Sequence, residues 1–412
     1  MTESPDAARS STPGNGRVDL PRRSEFRADD RGLADAAGSW KSAYIHIPFC
    51  SHRCPYCDFA IVDESQANEV DRQRYVDAVI SEIAMEDPFG SLDSVNFGGG
   101  TPSLLTSDQL EQILNALKGR FTLTTGVEIS IEVNPEDMDQ RAIEGLVGRG
   151  FTRLSIGAQS FDGQVLGVLG REHGVGVAQD VAVEARSAGF ESVGIDLIYG
   201  HPSESARSWR ATVEQAIALP VDHISTYALT VERGTTLSRD VLAGAPAPDP
   251  DDQADRYEMF CDLAGNAGFA RYEVSNHARP GHVCVYNLST WSHGEYLGFG
   301  LGAHDHRRGE RSRNHQRLDR YLEDIEGGIR PRIGSETLSV SDQERDRFML
   351  GVRLAAGVAL TPFATAFASS ERGKRLIDAG IVDIESDRLV VTHPMLTDAV
   401  AREALSVSVG DC

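Results

Sequence analysis

His46-Ile47-Pro48-Phe49-Cys50-Ser51-His52-Arg53-Cys54-Pro55-Tyr56-Cys57-Asp58-Phe59 sets three cysteines in the spacing CxxxCxxC. A strand-like run, Ala43–Pro48, leads straight into it. Three thiolates on one short loop can wrap one corner of a cubane iron–sulfur cluster, each on a different iron. A disulfide framework would spread its cysteines instead, and a tight triplet reads as metal or cluster ligation in a reducing, cytoplasmic compartment. A structural zinc site wants four ligands. Cys261 and Cys284 are isolated and supply no second pair, so zinc would have to borrow His46 or His52.

Outward from this loop, short β-rich runs alternate with helical stretches. The strand candidates are Ala43–Pro48, Ser94–Phe97, Val127–Val133, Arg153–Ala158, Ser192–Ile198 and His223–Leu229. Between and after them lie helix candidates Glu69–Glu86, Ser107–Leu117, Asp139–Arg149, Val175–Ala188, Ser205–Leu219 and Asp252–Ala267. Strand-then-helix units of this kind imply parallel strands with right-handed crossovers. The expected fold is α/β: a partial (β/α)6 TIM-like barrel whose functional groups sit at the C-terminal ends of the strands.

The expected domains are a disordered leader over 1–38, the barrel over 39–275, an extension over 276–330 and a small helical, winged-helix-like domain over 331–412. The leader is rich in Ser, Pro, Gly, Asp and Arg and lacks periodicity. After about residue 275 the βα rhythm is lost, and a glycine-rich run, Tyr296 to Ala303, precedes an Arg/His-rich stretch ending at Arg320. A capping box predicts a helix start at Ser341, with Glu344 three residues on. FMLGVRLAAGVAL is expected to be amphipathic and to pack on the barrel.

The chain has 412 residues and a net charge of −22. So acidic a surface argues against nucleic-acid backbones and anionic membranes as general partners. No apolar run approaches the ~18–20 residues of a membrane span.

An open iron can chelate a molecule through an amine and a carboxylate, and S-adenosylmethionine carries both. Other residues at the strand ends could complete its pocket. Gly99, Gly100 and Thr101 follow the second strand, where glycine lets backbone approach a ligand closely. Glu132 ends the third strand, Gln159 the fourth, Arg171 follows, and Asp196 lies in the fifth. A carboxylate on an otherwise apolar strand is costly to bury without a partner. Glu132 or Asp196 could pair internally with Arg171, and the three could at the same time line a cofactor pocket, with Arg171 suited to a carboxylate and the acids to an amine or hydroxyls.

The CxxxCxYC loop resembles that of the radical S-adenosylmethionine superfamily. With Tyr44 and Tyr56, the segments YIHIPFC, GGGTPSLL, IEVNPE, SIGAQSF and DLIYGHP resemble, in order, those of oxygen-independent coproporphyrinogen III oxidases and the related HemW-type heme chaperones. The resemblance spans about Trp40 to Leu405. It implies a [4Fe-4S] cluster on Cys50, Cys54 and Cys57, S-adenosylmethionine, and a porphyrin-type ligand. In the oxidases a further cysteine stands two positions after the triplet; here that position is Phe59, which resembles the chaperones. The chaperone reading implies heme as cargo, an acceptor protein and an electron donor; the alternative is radical oxidative decarboxylation in porphyrin biosynthesis.

The segment Cys284-Val285-Tyr286-Asn287-Leu288-Ser289-Thr290-Trp291 is similar to the chaperones' HNxxYW motif, which that family ties to heme. It keeps Asn287 and Trp291 but has Tyr286 for His and Thr290 for Tyr. Tyrosinate and thiolate can both ligate heme iron, which makes Tyr286 and Cys284 candidate ligands alongside His282, His293 and His304. Arg307 and Arg308 are candidates for tetrapyrrole carboxylates, or simply part of a salt-bridged face.

Overall fold

The computed structural model describes residues 31–63 and 69–407. Six strands alternate with helices: β1 Lys41–Ile47, β2 Ser91–Gly99, β3 Thr122–Val133, β4 Arg153–Gln159, β5 Ser192–Tyr199 and β6 His223–Ala228. All neighbouring pairs among them are parallel. Their outward residues, such as Ile131, Leu154, Ile156 and Ile195, are buried against the surrounding helices in the main core. This is the partial barrel expected from the strand–helix alternation.

Helix termini differ from expectation by a residue or two. Thr106, not Ser107, caps the helix Ser107–Arg120, and its partner Gln109 closes a capping box. Ser339 caps Val340–Gly351 by accepting from Asp342 N–H. A cap must hold extended backbone just outside the helix while its oxygen reaches forward, and two adjacent hydroxyl residues qualify equally by type.

Past the six barrel strands the sheet continues on both edges. β7 Ala270–Arg271 and β8 Asn276–Ala278 extend it past β6. β9 Glu295–Phe299, β10 His304–Arg307, β11 Glu310–Asn314 and β12 Arg332–Thr337 extend it past β1. The order is β12-β11-β10-β9-β1-β2-β3-β4-β5-β6-β8-β7. The glycine-rich run is thus a strand parallel to β1. Gly298 is required there: a Cβ would lie 2.2 Å from the carbonyl oxygen of His304. A glycine chosen for close backbone approach erases the β-propensity signal.

The Arg/His-rich stretch forms β10, β11 and the start of the helix Leu318–Glu326. Arg307 donates to Glu86 at 2.8 Å, Arg311 to Asp346 at 2.8 Å and Glu336 at 2.9 Å, and Arg320 to Glu323 at 2.8 Å. It is largely the salt-bridged face, and Arg308 is exposed.

The C-terminal unit has three helices, Val340–Gly351, Pro362–Ser369 and Glu371–Asp378, a three-stranded antiparallel sheet, and a last helix Thr397–Ala404. Phe348, Phe363, Phe367 and Leu389 fill its own core. FMLGVRLAAGVAL therefore divides: Phe348 and Val352 enter that core, whereas Leu354 and Ala356 pack on Tyr272 and Val283. Within the expected leader, Arg31–Ala37 is a helix whose Leu33, Ala34 and Ala37 join this second cluster. Asp35 on it pairs with Arg388 of the C-terminal unit at 2.7 Å. Residues 1–30 lie outside the described residues.

Candidate functional site

The inward face of the barrel inverts the usual pattern. Side chains alternate along a strand, so residues two apart share a face. Ser130 and Glu132 on β3, Arg153, Ser155, Gly157 and Gln159 on β4, Asp196 on β5, and His223, Ser225 and Tyr227 on β6 all line one cavity of about 570 Å³. Leu154, Ile156 and Ile224, which alternate with them, are buried in the main core. Cys50, Cys54, Tyr56, Cys57 and Phe59 line the mouth at the C-terminal ends of the strands; Arg153, His223, Cys284 and Asn287 line its floor.

At the mouth, the cysteine loop is held by backbone. Gly100 N–H donates to Ile47 and Thr101 N–H to Phe49, each at 2.8 Å. Gly99 has φ +112, and a Cβ there would meet the His46 ring at 2.4 Å; a Cβ on Gly100 would lie 2.7 Å from the Pro48 carbonyl. The glycine run is therefore a packing requirement as well as a lining of the cavity. Thr101 donates its hydroxyl to Cys50 Sγ at 3.5 Å, and Arg171 Nη1 reaches Cys54 Sγ at 3.9 Å. Burial pushes the Cys50 thiol up to about 11, and it raises Cys57 as well.

The zinc alternative finds no free imidazole on this loop. His46 uses one ring nitrogen on the Ala60 carbonyl at 2.8 Å and the other on the Tyr44 hydroxyl at 3.1 Å. His52 Nε2 is on the Gly170 carbonyl at 2.6 Å. Among the described residues no three His, Cys, Asp or Glu side chains converge as a single ion would need. Three separated thiols suit a cluster, which offers each its own iron.

Arg171 pairs with neither Glu132 nor Asp196 among the described residues. Its Nη2 donates to Asn134 Oδ1 at 2.7 Å and to the Gly157 carbonyl at 3.2 Å, and Glu136 lies 3.9 Å away. Its Nε is buried without a partner. Asp196 accepts the Ser155 hydroxyl at 3.0 Å, and Asn96 donates to Glu132 at 3.4 Å. Burial, then the neighbouring Asp196, raises the Glu132 carboxyl to about 7; burial raises Asp196 too. Two uncompensated carboxyls and an incompletely bonded guanidinium facing one cavity fit a zwitterionic ligand with an ammonium at one side and a carboxylate at the other. Gln159 adds backbone strain, with φ +63 at the strand end.

Of the other sequence candidates, Tyr56 lines the cavity, whereas Tyr44 lies in its wall, stacked on Tyr286 at 5.8 Å and 18°. Cys284 and Asn287 reach the floor; Tyr286 and Trp291 are not among its lining residues. Arg353 lies over the Trp291 ring, 4.3 Å from its centroid. Burial holds the Tyr286 phenol well above its ordinary range and the Cys284 thiol up to about 12. His293 packs on His306 with 4.4 Å between ring centroids, away from the cavity. Sequence reasoning missed Asn96, Ser130, Ser155, Ser225 and Tyr227. The period-two polar spacing S-x-E, R-x-S-x-G-x-Q and H-x-S-x-Y was the available signal.

The radical SAM superfamily model matches residues 44–216. The chain is 38% identical over 380 residues to a protein of Mycobacterium tuberculosis named heme chaperone HemW, covering 91% of this chain and 97% of that one. It is 34% identical to the protein of that name in Lactococcus lactis, covering 80% and 86% respectively. The structure is similar to that of the radical SAM enzyme coproporphyrinogen III oxidase HemN from Escherichia coli, with TM-score 0.77, 22% identity and coverage of 91% of this chain and 92% of that one. That likeness shows the fold. Cysteine loop, strand-end polar set and relatives agree: the chain belongs to the radical S-adenosylmethionine superfamily, in its HemW-type heme chaperone branch.

Proposed function

We propose that this protein binds a [4Fe-4S] cluster through Cys50, Cys54 and Cys57, holds S-adenosylmethionine at the cluster's fourth iron, and passes heme to an acceptor protein. When bound, the cluster supplies one-electron chemistry at the sulfonium. The chain's own residues shelter and orient it. Arg171 suits the methionyl carboxylate, Glu132 and Asp196 the ammonium or ribose hydroxyls, and the glycine run the close backbone approach. The domains 39–275 and 331–412 act in this reading as cofactor barrel and closing unit.

The observation that carries the chaperone reading is Phe59, 61% exposed at the cavity mouth where the oxidases resembled here carry a further cysteine. Coproporphyrinogen decarboxylation is the second reading, favoured only by a polar chamber that continues below the cofactor region. In this reading the protein works in the cytoplasm, whose reducing conditions keep a thiol triplet available for a cluster. Separately, no helix of the described residues is long and apolar enough to cross a membrane. The test is anaerobic reconstitution, followed by heme titration by absorbance and coproporphyrinogen turnover by product mass. Heme binding without turnover supports the chaperone; turnover beyond one per bound S-adenosylmethionine rejects it.

A further inference from the structure

The floor of the cavity carries an arginine that the cofactor reading does not use. Arg153 opens β4 and is only 4% exposed. Its Nε donates to Glu128 Oε2 at 2.8 Å, and its Nη2 donates to the carbonyls of His282 and Val283 at 2.8 and 3.1 Å. Among the described residues its Nη1 has no hydrogen-bond partner, and the side chain lines the cavity. An arginine has five N–H donors in a rigid fork, so bonds from Nε and Nη2 leave the two N–H groups of Nη1 for whatever fills the chamber.

The surroundings suit an anion. His223, 3% exposed, has Nε2 on the Tyr272 hydroxyl at 2.8 Å, and burial and Arg153 keep its ring neutral. Asn287 and Ser225 add uncharged polar groups beside it. Glu128, which accepts from Arg153, is turned the other way, accepting also from Val285 N–H at 2.8 Å. The Cys284 thiol is held neutral by burial. Tyr227, 43% exposed, stands between this floor and the mouth.

We propose that the floor is a carboxylate subsite: Arg153, with His223 and Asn287, receives the carboxylate of a short aliphatic arm reaching down the barrel past Tyr227. A charge-assisted hydrogen bond from Nη1, joined by His223 and Asn287, favours a carboxylate over a neutral amide. A propionate arm has the right chemistry, whether it belongs to a tetrapyrrole or to a free carboxylic acid. The claim stands apart from heme delivery, because it concerns the chamber and not the cargo's fate.

The test uses the full-length, cluster-reconstituted protein, with propionate as probe and propionamide as its neutral isostere. Calorimetry and thermal unfolding should detect propionate binding near about 1 mM and no propionamide binding. Arg153→Gln should weaken propionate at least about tenfold. Because that change also frees Glu128 and the 282–283 carbonyls, Asn287→Leu serves as the second variant; it fills the floor and leaves the Arg153–Glu128 pair intact. Equal responses to propionate and propionamide, no response to propionate, or full binding in both variants would overturn the subsite. Iron mesoporphyrin and its dimethyl ester separate the sources. Preference for the free acid, lost in either variant, makes the arm the porphyrin's; equal binding with propionate binding retained makes it a free acid's. If iron porphyrin does not bind at all, the heme reading fails while the propionate result still decides the subsite.

Discussion

At the mouth of the barrel one contiguous loop, Cys50 to Phe59, carries the three thiols, and Gly99, Gly100 and Thr101 from the next strand end brace it. At the floor, Glu128, Arg153, His223, Tyr272 and Cys284 arrive from five separate places in the chain. Both ends line the same cavity. The mouth is a local device that tolerates exposure: Phe59 and Arg53 sit at the surface. The floor is a buried network in which each polar group depends on partners distant in sequence. Damage at the mouth should therefore remove function with little loss of fold, and damage at the floor should also cost fold stability.

The largest expected effect is at the mouth. Cys54→Ala should abolish cluster retention, measured as iron and acid-labile sulfide per chain, and with it S-adenosylmethionine binding. The far-ultraviolet circular dichroism should stay that of the parent. A variant that still holds a full cluster would remove Cys54 from the ligand set.

Next comes the floor. Glu128→Gln leaves the Arg153 guanidinium buried without its counter-charge, and breaking one partner of a buried pair typically costs about 3–5 kcal/mol. Urea unfolding should show a loss of that size. A loss below about 1 kcal/mol, the range of surface pairs, would mean the floor is wetter than its burial indicates.

Glu132 sharpens the contrast through pH. Its folded carboxyl titrates near about 7 against an ordinary 4.5, so the folded chain keeps a proton that the unfolded chain has lost. Stability from this group therefore falls as pH rises through that window. An ammonium ligand favours the ionised form, so S-adenosylmethionine affinity should rise by up to about tenfold per pH unit below about 7 and then level. Glu132→Gln should bind weakly with a flat profile; a parent profile without slope would separate Glu132 from the ammonium.

The smallest effect is expected at Tyr286→Phe. The ring stacks on Tyr44 and the phenol is held protonated by burial, so the Soret band of bound heme should not move and stability should change by less than about 1 kcal/mol. A shifted Soret band would make the phenol an iron ligand.

The cysteine loop, the six strands and their helices were legible in the sequence because each is encoded locally: thiol spacing, strand–helix alternation, turn glycines. Gly189 and Gly150 lie at helix ends, with φ +103 and +93. β9 was not legible, because Gly298 serves a backbone contact with His304 that exists only once β10 folds back. The HNxxYW-like segment was legible as a motif but not as a place. Only the fold shows that it crosses the barrel floor, with Cys284 and Asn287 inward and Tyr286 packed in the wall.

The amino-acid order alone determined the thiol trio and the barrel that carries it, since both follow from short-range spacing and side-chain periodicity. The tertiary structure alone decided which inward polar residues share a chamber, that Arg171 bonds Asn134 and Gly157 and not either carboxyl among the described residues, and that Arg153 lines the same cavity. Those facts depend on strand register and on which distant segment closes the barrel, and long-range packing sets both.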